Sequence, residues 1–168
     1  YFNGSGDSGK ILSVEQWGNN PWTSMSGAFM GTANLVVNAP DEPDLSAVAD
    51  MSSMFRNATS FNQDISGWDV SNATNTSSLF RGASSFNQPL NAWDVSNVVD
   101  MSGMFNNASA FNQSLNTWTV SSTLDMSSMF GGAAAFNGAL NGWGSSTLNV
   151  TNMSAMFSGA NIFNRPLH

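Results

Sequence analysis

The sequence predicts an α/β solenoid of about six coils, with short parallel strands on one side and short helices on the other. Three observations carry that expectation. Met54-Phe55, Leu79-Phe80, Met104-Phe105 and Met129-Phe130 recur at a spacing of 25, and Met156-Phe157 follows after 27. Six residues after each of these phenylalanines stands another, at Phe61, Phe86, Phe111, Phe136 and Phe163, always followed by Asn. A tryptophan column (Trp68, Trp93, Trp118, Trp143) has an aliphatic residue three positions earlier and, in its first three members, Val two positions later. A fixed period of this size marks units too small to bury their own apolar face, which must stack on their neighbours.

Residues 1–13 read as an N-terminal extension and 14–168 as one repeat domain, with coils centred on Phe29, Phe55, Phe80, Phe105, Phe130 and Phe157. Within a coil, Met101, Met104, Phe105 and Ala108 fall at i, i+3, i+4 and i+7, one face of a short helix. Asp100 precedes them as an N-cap, and Asp50, Asn75, Asp125 and Asn152 hold the same place. The Trp-x-Val pair alternates inward and outward as a strand, closed by the turn residues Ser71-Asn72 and Ser96-Asn97. The first coil is degenerate: Trp17, Met25 and Phe29 keep their slots, but Leu35 replaces the second Phe. Pro40 to Leu45, with two prolines and three acids, predicts a bulged strand, and residues 144–150 predict a loop thrown outward.

The chain of 168 residues, 41% hydrophobic, has the material for one core. Charged residues make up 9%, against roughly 25% in an average soluble protein, so the surface must be neutral and polar. Four basic residues against eleven acids give a net charge of −7, which repels phosphate backbones, and no nucleic-acid partner is expected. There is no cysteine, and the one histidine is His168, so disulfides, thiolate metal sites, cysteine nucleophiles and histidine-based triads are excluded. No segment approaches the roughly 20 apolar residues of a membrane span, and no insertion of this segment is expected. Residues 1–10 lack the features of a signal peptide, as expected of a mature or excised piece. With no glycine-rich phosphate loop and no supported acid pair, the expectation is a protein that is not an enzyme and carries no cofactor.

Four constellations are candidates for more than packing. The Asn column at 62, 87, 112, 137 and 164 reads as a ladder satisfying backbone groups, with a recognition stripe as the lesser reading. Asp69 and Asp94 follow Trp in successive coils, about one strand spacing apart, and are weak calcium candidates; Thr119 takes that place in the next coil. Asp41, Glu42 and Asp44 form the densest acidic run, equally unsupported as a metal site. Eight Asn-x-Ser/Thr sequons begin at Asn3, Asn57, Asn72, Asn75, Asn107, Asn112, Asn149 and Asn152, with Asn57 and Asn107 the candidate glycosylation sites because they share one slot. The Trp, Met and Phe columns read as core.

Trp93-Asp-Val-Ser-Asn-Val-Val-Asp-Met-Ser-Gly-Met-Phe105 and Ala108-Ser-Ala-Phe-Asn-Gln113 resemble the repeat of the BspA-like leucine-rich-repeat surface proteins, strongly over residues 45–168 and weakly over 14–44. The resemblance implies a right-handed, leucine-rich-repeat-like coil on a secreted or cell-surface protein, associated with adhesion and with binding host or matrix proteins. It brings no catalytic residues. The function expected is an extracellular interaction or adhesion module recognising a protein or glycan through Ser66, Asp69, Asn91, Asp94, Asn116 and Thr119. The alternative is a structural protein whose copies polymerise head to tail through the ends of the stack into an extracellular filament.

Overall fold

The computed structural model describes residues 11–166. Most of the N-terminal extension, the sequon at Asn3, Leu167 and His168 lie outside the described residues.

Successive 25-residue coils stack one on another around a core of Trp, Met, Phe and aliphatic side chains. They are not, however, built of helix and strand. Among the described residues there is no α-helix; regular structure is confined to β1 (Ser13–Val14), β2 (Val36–Val37) and a 3-10 turn at Gly144–Thr147. β1 and β2 pair in parallel, Ser13 opposite Val36 and Val14 opposite Val37. Elsewhere the coils meet in single parallel bridges along Asp50, Asn75, Asp100, Asp125 and Asn152. The α/β, leucine-rich-repeat-like architecture expected from the sequence is therefore wrong. The molecule is a stack of coils made almost entirely of turns.

The helix fails because two residues per coil adopt left-handed backbone. Ser53 and Asn57 have φ of 57° and 59°, and Gly103 and Asn107 have φ of 60° and 57°. Each such residue interrupts the right-handed path that a helix needs. What replaces it is an alternation of hydrogen bonds. Met101, Gly103, Phe105 and Asn107 send their N–H groups to Asp125, Ser127, Met129 and Gly131 of the next coil, at 2.7–2.9 Å. Met104, Asn106 and Ala108 bond locally, three residues back, at 3.0–3.1 Å. The i, i+3, i+4, i+7 apolar spacing is kept by linked tight turns, so Met101, Met104, Phe105 and Ala108 are all fully buried without a helix.

The same alternation aligns the peptide units. The Asp100 carbonyl accepts from Thr76 in the coil before, and the adjoining Met101 N–H donates to Asp125 in the coil after, both at 2.9 Å. Every inter-coil peptide of this turn run points its N–H the same way along the stack. The Asp/Asn column serves the bend at the start of the run: Asp50, Asn75, Asp100, Asp125 and Asn152 each accept the N–H of the Ser two residues on, at 2.7–3.1 Å. These side chains do the chemistry of a cap at a bend that no helix follows.

The strand expected at Trp-x-Val also fails. The Trp68 N–H closes a turn on Ile65, and Ala73 closes another on Val70, which leaves too little extended chain between turns to form a ladder. The inward-outward alternation survives, with Trp68 and Val70 buried and Asp69 exposed. Here the tiers are tied by side chains: the indole N–H of Trp93, Trp118 and Trp143 donates to the carbonyl of Ile65, Leu90 and Leu115 in the coil before, at 3.0, 2.8 and 2.9 Å.

Two phenylalanine columns fill the interior. Phe29, Phe55, Phe80, Phe105, Phe130 and Phe157 stack with ring centroids 5.5–5.7 Å apart. Phe61, Phe86, Phe111, Phe136 and Phe163 stack at 5.6–6.0 Å beside them. Within a coil the two rings approach to 4.0 Å, as Phe80 and Phe86 do. Offset parallel stacking of this kind adds ~0.5–1.5 kcal/mol per pair beyond the area buried. The threonines that interrupt the Met and Val columns are satisfied: the Thr123 hydroxyl donates to the Val98 carbonyl at 2.9 Å, and Thr76 to that of Asp100 at 3.4 Å. At the surface, Asn57 lays its side-chain oxygen over Gly82 of the next coil, and Asn107 does the same over Gly132, where a Cβ would collide. The irregular segments accommodate their insertions locally. Asp41 accepts the N–H groups of Trp17 and Gly18 at 3.0 and 2.9 Å, and the 3-10 turn leaves Leu148 85% exposed.

Candidate functional site

Because every coil repeats the same path, side chains outside the core fall into columns. Ser66, Asn91 and Asn116 form one, and Asp69, Asp94 and Thr119 another three residues further on. Five of the six are exposed and Ser66 is half-buried, so the structure brings all of them to the surface in two adjacent rows. The rows are positioned by the turn Ile65 to Trp68 and its counterparts Leu90 to Trp93 and Leu115 to Trp118. The buried Trp of each turn anchors the exposed residue beside it.

Part of this polar chemistry is already engaged. Asp69 accepts the Ser71 N–H at 3.1 Å and Asp94 the Ser96 N–H at 3.0 Å. The Ser71 hydroxyl and N–H hold the Asp69 carboxyl below its ordinary value, against slight burial and the charge of Asp94. Ser96 does the same for Asp94. Both are therefore anions at neutral pH. Asn116 accepts from the Gly142 N–H, and the Asn91 carbonyl accepts the Thr117 hydroxyl at 2.7 Å. The arrangement offers two carboxylates, amide groups and hydroxyls in fixed register, suited to hydrogen bonding with a polar partner.

Among the described residues no third carboxylate joins the weak calcium candidates Asp69 and Asp94, and no three of His, Cys, Asp and Glu are placed to hold a metal ion. In the other acidic run, Asp41 is held below its usual range chiefly by the Trp17 N–H, and Asp44 by the Ser46 hydroxyl. Their carboxylates serve the local chain path.

The Asn column is a ladder between coils. Asn62 accepts the Asn87 N–H, Asn87 that of Asn112, Asn112 that of Asn137 and Asn137 that of Asn164, at 2.7–3.1 Å. Gln88 and Gln113 reinforce it by donating to the Asn62 and Asn87 carbonyls at 2.9 Å. Asn87→Ala should therefore destabilise the fold by ~1–2 kcal/mol although the residue lies at the surface, because the Asn112 N–H loses its acceptor and the Gln113 amide loses one of its two, the Asn87 side-chain oxygen at 3.0 Å. Urea unfolding of the variant measures this; a loss below ~0.3 kcal/mol would mean that water replaces the ladder at no cost. Asn57 and Asn107, the candidate glycosylation sites, are exposed, but the Asn107 amide donates to the Asn106 side chain at 2.9 Å.

Sequence reasoning read the tryptophans as core and missed the indole bonds. The signal was present: each bonded Trp follows by 28 residues an aliphatic residue whose carbonyl accepts it.

Fold and surface together define a turn-built repeat protein. The chain belongs to the family described as "Mycoplasma protein of unknown function, DUF285", whose model matches residues 23–143 and 124–168, the family associated with BspA-like surface repeat proteins. No curated protein matches the chain, and no solved structure does. Among the described residues no helix is long and apolar enough to cross a membrane.

Proposed function

We propose that this chain is an interaction module of a BspA-like extracellular or cell-surface protein, which presents the rows Ser66, Asn91, Asn116 and Asp69, Asp94, Thr119 to a protein or glycan. It acts by binding alone, without catalysis or cofactor. The observation that carries this reading is the regular outward placement of the two rows on a rigidly packed stack. Their backbone is fixed by the buried Trp turns, so a partner meets them without the entropy cost of ordering a loop. Membership in the family associated with surface repeat proteins supports the location.

The test uses the folded 168-residue chain in glycan-array and cell-surface pull-down measurements, beside a variant carrying Asp69→Asn, Asp94→Asn and Thr119→Ala. Asn keeps the turn that Asp makes and removes the charge. The variant should unfold within ~0.5 kcal/mol of the parent and bind at least tenfold more weakly. A chain that captures nothing, or a variant that binds as well as the parent, sinks the proposal.

A further inference from the structure

We infer that Arg56 and Arg81 form a site for a single acidic group, a sulfate ester or a carboxylate, carried by a glycan. The pair stands at a different part of the coil from the Ser66 and Asp69 rows, and the inference does not depend on the partner-binding reading of those rows. It begins with charge. The chain holds eleven acids and only four bases, yet two of those bases occupy the same slot of successive coils. Of its three arginines, Arg165 alone donates a side-chain hydrogen bond among the described residues, and Arg56 and Arg81 pair with no carboxylate there. Like charges one tier apart repel, and an anion held between them removes the repulsion.

The middle of the stack keeps the two in register. Arg56 and Arg81 each close a turn on a left-handed serine, Ser53 at φ 57° and Ser78 at φ 55°, and both turns have an N–H to carbonyl distance of 3.1 Å. The Asn57 N–H ties the tiers by donating to the Arg81 carbonyl at 2.7 Å. Just before the arginines, the Phe55 and Phe80 rings stack 5.6 Å apart and 3° from parallel. Equal turns on a fixed tier spacing start the two side chains in the same direction. Arg56 is half-buried and Arg81 exposed. The column is cleared on either side of them. Gly31, whose N–H donates to the Arg56 carbonyl at 2.7 Å, has no side chain, and Asn106 leans away over Gly131 of the following coil.

The chemistry selects the ligand. A guanidinium takes an oxyanion through paired N–H donors, so two in one column suit a tetrahedral sulfate or a planar carboxylate. A long polyanion is disfavoured, because beyond this pair it meets a chain of net charge −7. One acidic group on an otherwise neutral ligand fits. The neighbouring side chains are those of Ser53, Asn57 and Ser78, two hydroxyls and an amide, and none of the large exposed apolar residues stands in these columns. A protein partner is held by aromatic or aliphatic anchors, which find no seat here, whereas a sugar offers hydroxyls to hydroxyls and amides.

NMR titration of the 168-residue chain tests the inference, with a galactose sulfate monoester, glucuronate, plain galactose, inorganic sulfate and a short acidic peptide as probes. The two acidic sugars should bind at least tenfold more tightly than galactose. Arg56→Gln and Arg81→Gln should each weaken them roughly tenfold without moving the urea midpoint, and Arg81→Lys, which keeps the charge and loses the fork, roughly threefold. Failure of both acidic sugars to bind overturns the inference, as does binding that the two Gln variants leave intact. Galactose sulfate held no more tightly than inorganic sulfate would mean an adventitious ion only, and also overturns it. An acidic peptide that binds as tightly as the sugars would make the partner a protein and overturn the assignment to a glycan.

Discussion

Phe105→Ala is expected to lower the unfolding free energy by ~3–5 kcal/mol, a large share of the ~5–15 kcal/mol typical of a domain. Phe105 is fully buried and touches four rings at once: Phe80 and Phe130 at 5.6 Å, Phe111 at 4.0 Å and Trp118 at 6.4 Å. A cavity there cannot be closed by the tiers above and below, because their spacing is held by the backbone bonds of Phe80 to Met104 and Phe105 to Met129. The void persists and the full cavity term applies. Guanidinium unfolding followed by Trp fluorescence measures the change. A loss below ~1 kcal/mol would show that the coils slide together and that the ring columns are less rigid than their geometry says.

Trp118→Ala is expected to cost a comparable ~3–5 kcal/mol, with Trp118→Phe separating its causes at ~1–2 kcal/mol. The residue is 1% exposed and its indole donates to Leu90 at 2.8 Å. Phe preserves most of the apolar contact and deletes the donor. Between Trp118 and Leu90 the tiers have no ladder of backbone bonds, so the indole and the neighbouring Thr117 hydroxyl, which donates to the Asn91 carbonyl, are their direct polar ties in this part of the circuit. The amides of the coil from Leu90 to Leu115 should exchange faster with solvent in Trp118→Phe, while those of the Phe105 turn run stay protected. Uniform loss of protection would instead indicate that the stack opens as one unit.

The period, the columns and the identity of the core were legible because burial depends on which residues recur, and recurrence survives any local backbone path. Secondary structure was not. Apolar residues at i, i+3, i+4 and i+7 lie on one face of a helix, but also on one face of tight turns linked through left-handed residues. The column of Asn57, Gly82, Asn107 and Gly132 held the discriminating signal, since Asn and Gly are the residues that tolerate positive φ. Ser53, Ser78, Ser128 and Ala155 concealed the second left-handed position, because neither Ser nor Ala advertises it. Of the candidate surface, the outward residues followed from alternation about Trp. The local use of Asp69 and Asp94 carboxylates depended on a turn geometry read instead as strand.

Asn57 over Gly82 and Asn107 over Gly132 make the units of the array unequal. A bulky side chain needs a bare backbone in the following tier, so excising the 25-residue unit that carries Gly82 would set Asn57 against Asn107, whereas excising the unit that carries Asn107 sets Gly82 against Gly132 and meets no such collision. Gly159 already follows Gly132 in this way. Which unit is lost, and not how many, therefore decides whether the shortened array still closes.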